Sequence, residues 1–117
     1  MVLGLWADLR SPTVLFPCSP ALVERAERMV ACHAGELARN DYLGMLRATG
    51  RLAAIRGVER VLGFGATALA GVQHAELLTE LGRVGGRWRA GIPRVSPRLD
   101  LPVAWGADVS DHIASVR

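Results

Sequence analysis

A chain of 117 residues with 14 basic and 11 acidic side chains, a net charge of +3 and 50% apolar residues has the length of one domain and the composition of a folded one. This composition excludes a wholly disordered chain, and no run approaches the roughly 18 apolar residues of a membrane-spanning helix. The longest uncharged run, residues 61–75, includes Gln73 and His74. All the basic residues are Arg and none is Lys, which we read as the codon bias of a high-GC bacterium. Two cysteines, Cys18 and Cys32, are too few for a disulfide scaffold, and residues 1–10 lack the order of a signal peptide. The expectation is a cytoplasmic protein with two free thiols.

Residues 2–6 and 13–16 favour extended backbone but are bounded by Pro12 and Pro17, which cannot donate to a ladder, so neither run suits a central strand. Ser19 and Pro20 are a helix start, a capping hydroxyl followed by a residue with no N–H to waste. A helix is expected to run to about Arg39, with Leu22, Ala26, Met29, Val30, His33 and Leu37 on one face and Glu24 and Arg28 as an i,i+4 pair. Asn40 or Asp41 caps a second helix to about Arg56, stopped by Gly57. Gly44 and Gly50 either weaken that helix or let a partner helix approach closely. From Thr67 to Leu81 the apolar residues Leu69, Val72, Ala75, Leu78 and Leu81 predict a third helix ended by Gly82. Beyond it Gly85, Gly86, Gly91, Pro93, Pro97, Pro102 and Gly106 predict irregular backbone.

The expected fold is therefore mainly α: a small helical bundle made of a helical hairpin and a third helix. An extended arm (1–18), a helical body (19–82) and a Gly/Pro-broken basic tail (83–117) are the expected parts. Residues 1–82 carry eight Arg and eight acids, so the whole excess of positive charge lies after Gly82.

Three functional readings follow. The leading one is a non-enzymatic interaction module, a homodimer or accessory subunit, with Leu43, Leu46, Leu69, Val72 and Leu78 on its interface. The alternative is a nucleic-acid-binding regulator using Arg87, Trp88, Arg89, Arg94 and Arg98, because guanidinium groups contact phosphates in pairs of hydrogen bonds and Trp stacks on unpaired bases. In the same region Ala75-Glu76-Leu77-Leu78, Leu81-Gly82 and Arg87-Trp88-Arg89-Ala90-Gly91-Ile92-Pro93 resemble the first helix, turn and wing entry of excisionase-type DNA-binding domains. Only Arg83-Val84-Gly85-Gly86 stands where that family has its recognition helix.

The third reading is an enzyme. Arg28 and His33 have the R-x4-H spacing that resembles the HEPN ribonucleases, which implies a pair acting on an RNA phosphodiester. Gly63-Phe64-Gly65-Ala66-Thr67-Ala68 matches the spacing of a dinucleotide-binding turn, but its preceding strand candidate holds Glu59 and Arg60 and no acid lies between Glu80 and Asp100 to hold a ribose. No metal-binding, nucleophile-elbow or Walker motif is present in the sequence, and neither a cofactor nor a metal is expected.

Overall fold

Ser19 starts the first helix as its sequence requires: its hydroxyl accepts a hydrogen bond from the Leu22 N–H, and Pro20 occupies the first turn of α1 (Pro20–Ala31). The computed structural model describes residues 2–3, 9–97 and 105–110. The expected long helix breaks at Cys32 and His33 and resumes as the single turn α2 (Ala34–Leu37). Asp41 then caps α3 (Tyr42–Leu62), accepting from the Gly44 N–H at 2.8 Å. Gly57 does not stop this helix, which continues to Leu62 and ends at Gly63, whose φ of 109° favours glycine.

The remainder corrects the mainly α, helical-bundle expectation, for the chain is mixed α and β. Strands β1 (Val2–Leu3), β2 (Val14–Pro17), β3 (Ala75–Thr79) and β6 (Arg94–Val95) form one sheet in the order β1-β3-β2-β6. Strands β4 (Leu81–Val84), β5 (Arg87–Gly91) and β7 (Trp105–Asp108) form a second, in the order β4-β5-β7. The β2 and β3 strands pair antiparallel with Leu15 opposite Leu77, while β2 and β6 run parallel with Leu15 beside Val95.

Each difference from expectation has a physical cause. The expected third helix is a loop over residues 63–74 followed by β3, and Gly71, at φ 77°, interrupts any helix there. The β3 strand is covered on both faces, so its neighbouring Leu77 and Leu78 carry no alternation by which to tell strand from helix. The presumed N-terminal arm supplies β2, an inner strand, because Pro12 precedes it and Pro17 is its last residue, where the ladder continues through the Cys18 N–H donating to the His74 carbonyl. The presumed irregular tail contains a hairpin: Gly85 and Gly86, at φ 58° and 79°, form the two-residue turn between β4 and β5 that matches strand twist. The boundary expected after Gly82 falls inside β4.

The core lies between α3 and one face of the first sheet. Leu15, Ala53, Ala54, Val58, Val61 and Ala75 are buried there, with Ala66, Leu69, Val72, Leu77 and Val95 packed around them. Full burial of a side chain such as Leu15 contributes about 1.5–3 kcal/mol. Val14 and Leu78, on the other face of the sheet, are also buried. No helix among the described residues is long and apolar enough to cross a membrane.

Candidate protein-docking surface

The α3 helix is apolar on two opposite sides. Gly50, Ala53, Ala54, Gly57, Val58 and Val61 are buried against the sheet. At 100° per residue, Met45, Ala48, Leu52, Ile55, Glu59 and Leu62 fall on the far side, which faces away from it. Leu52, Ile55 and Leu62 are each 52% exposed, and Phe64, just past the helix, is 99% exposed. Their steps of three and four residues are those of a helix-packing seam.

Small residues face inward because the sheet side comes too close for larger ones. A Cβ at Gly57 would collide with the Leu15 side chain, and one at Gly50 with the His74 ring. Of the two glycines for which close approach was one alternative, Gly50 meets the His74 ring in the loop before β3 and not a partner helix, and Gly44 meets its own cap Asp41. Gly57, expected as a stop, is the one approached by β2. The large apolar side chains are left outside. Within that outer band, Arg56 is exposed and Glu59 half-buried, and neither side chain forms an ion pair with another described residue.

The leucines expected at an interface are placed differently. Leu78 is buried in β3, and Leu69 and Val72 pack onto the core from the loop. Leu46 is half-buried. Leu43, also half-buried, lines an open groove of about 340 Å³ between α1 and α3, together with Glu24, Glu27, Arg28, Ala31 and Arg47. Arg47 donates to Glu27 across that groove at 2.7 Å, which holds the Glu27 carboxyl below its ordinary pKa. Met45, Leu52, Ile55, Leu62 and Phe64, which the structure exposes, are not among the residues expected at an interface from the sequence. Their seven-residue steps, Met45 to Leu52 and Ile55 to Leu62, were the available signal.

The basic segment does not form one patch. Arg87 and Arg89 lie on one face of β5 and Trp88 on the other. Arg87 donates to Asp108, whose carboxyl is held well below the usual range by hydrogen bonds from Ser110 and, after them, from Arg87. Arg89 donates to the Gly106 carbonyl at 3.3 Å. Arg94 forks onto both oxygens of buried Glu80, and this hydrogen bonding raises its pKa. Arg98 lies outside the described residues. The segments resembling a helix-turn-helix are strands β3 and β5, which removes the groove-reading geometry that resemblance implied.

Arg28 is an exposed α1 residue beside Glu24 at 3.6 Å, and His33 stands in the break after α1. His33 is exposed, against its expected place on the apolar stripe. The glycines of residues 63–68 follow a helix and lead into a loop, so the strand-turn-helix frame of a dinucleotide site is missing. Cys18 and Cys32 are both free thiols. No group of three or more His, Cys, Asp or Glu among the described residues is arranged to hold a metal. No protein-family model matches the chain, and no curated protein or solved structure is significantly similar to it.

Proposed function

We propose that the protein is a non-enzymatic interaction module that docks another protein surface on the outer side of α3. The observation that supports this reading is the band of Met45, Leu52, Ile55 and Leu62, exposed along a helix whose opposite side already fills the core. A helix needs one apolar side to fold onto its sheet; a second is explained by something that covers it. Covering a half-exposed Leu or Ile recovers part of the roughly 1.5–3 kcal/mol available from full burial, so several in line suffice for specific binding. Because the band points away from the core, a charge placed in it leaves the fold intact.

The test compares the wild-type chain with the Leu52→Glu/Ile55→Glu variant. Proteins co-purifying from the native host with the wild type, further copies of the chain included, are identified by mass spectrometry, remade and titrated against both forms. The expected outcome is binding that falls at least about tenfold in the variant while its melting temperature stays within a few degrees of wild type. Equal binding by both forms overturns the outer side of α3 as the docking surface.

A further inference from the structure

The charges inside the apolar band say which partner fits. From Leu52 to Leu62 the outward residues run Leu52, Ile55, Arg56, Glu59 and Leu62, with one basic and one acidic residue a helical turn apart between two leucines. Reversed end to end, Leu52, Arg56, Glu59 and Leu62 keep the same order except that the charges exchange places, and Ile55 has no counterpart in the reversed order. A surface of that kind is complementary to itself about a two-fold axis.

We propose that the outer side of α3 pairs antiparallel with α3 of a second copy of this chain. This rests on the docking reading and names its occupant. The two-fold axis passes between Arg56 and Glu59, so that each Arg56 meets the other copy's Glu59 and the two ion pairs are reciprocal. Leu52 of each copy then lies across from Leu62 of the other. Ile55 packs beneath the charges, and Phe64 extends over the opposite helix towards Ala48. Neither Arg56 nor Glu59 forms an ion pair with a described residue of its own chain, so both remain available for this exchange. A parallel pair would set Glu59 against Glu59 and Arg56 against Arg56, like charges in contact. A lipid surface gives Glu59 no cation at a fixed place and, where anionic, repels it.

The experiment is sedimentation equilibrium of the full chain across concentration, with charge variants. Wild type is expected to be a dimer whose dissociation constant rises about three- to tenfold in Arg56→Glu and in Glu59→Arg, as for exposed ion pairs lost twice over. The double variant Arg56→Glu/Glu59→Arg restores the pairing with signs exchanged and returns the constant to near the wild-type value. An equimolar mixture of the two single variants associates more tightly than either alone. A chain that stays monomeric to about 100 µM overturns the second copy as occupant. If binding of another protein that depends on Leu52 and Ile55 persists in that monomer, the docking reading stands; if none is found, both fall. A dimer in which the double variant fails to recover overturns the antiparallel register. Binding of monomer to vesicles of anionic phospholipid, lost in Leu52→Glu/Ile55→Glu, overturns the protein partner in favour of a lipid surface.

Discussion

Cys18 and Cys32 show how much a residue's chemistry depends on where the chain puts it. The Cys18 thiol follows β2, donates to the Phe16 carbonyl and is pushed up to about 11 by burial and by the nearby Glu76 carboxylate. At pH 8 only about one molecule in a thousand carries that thiolate. Cys32 is exposed at the end of α1. Iodoacetamide at pH 8 is therefore expected to modify Cys32 first, and Cys32→Ser to leave no fast-reacting thiol, as read by peptide mass spectrometry. Glu76, on β3 opposite Phe16, has its pKa raised by burial, partly offset by His74. A carboxyl with a raised folded-state pKa binds its proton more tightly in the native state, so stability falls as pH rises from the ordinary carboxyl value through the raised one. Glu76→Gln is thus expected to raise the melting temperature at pH 7 and to give no gain at pH 3, where both states are protonated.

At the scale of elements, the α3 helix has its small residues inside and its large ones outside because the sheet approaches it closely. Gly57 marks the tightest point of that contact on β2, at the Leu15 side chain. Gly57→Val adds volume there that the packed sheet cannot absorb without moving, and is expected to cost about 1–3 kcal/mol in urea unfolding. The sequence announced the two helix starts through Ser19 and Asp41, because a cap is a local contact between neighbours in the chain. It did not announce β3, since Ala75, Leu77 and Leu78 show no strict alternation and Ala75 and Leu78 also stand three apart, as on a helix stripe. The hairpin is legible in principle from Gly85 and Gly86, a two-residue turn signal that the other glycines and prolines of residues 83–107 obscure. The candidate docking band was hidden for a related reason: α3 is apolar on both sides, so periodicity alone does not say which side meets the sheet.

At the scale of the molecule, Glu80 joins the two sheets. It follows β3 and precedes β4; its N–H donates to the Thr13 hydroxyl, its carbonyl accepts from the Gly91 N–H, and its carboxylate holds both terminal nitrogens of Arg94 on β6. The carboxylate is buried, and the Arg94 Nε is buried without a hydrogen-bond partner among the described residues. Removing one member of such a pair strands the other in a medium that solvates it poorly. Arg94→Ala is accordingly expected to destabilise the protein by about 3 kcal/mol. In the same variant, amide exchange should quicken in both β3 and β5, which would show that the junction holds the two sheets together.

What the sequence determined by itself is what depends on neighbours along the chain. It set the two helix starts at Ser19 and Asp41, but not the break after Ala31 or the run of α3 past Gly57 to Leu62. The tertiary structure decided the rest: that residues 75–79 pair with residues 14–17, that Arg94 neutralises Glu80, and that Leu69, Val72 and Leu78 serve the core while Leu52, Ile55 and Leu62 face outward. Those outcomes depend on which apolar surfaces meet across many residues of chain, and burial is settled by that meeting, not by local preference.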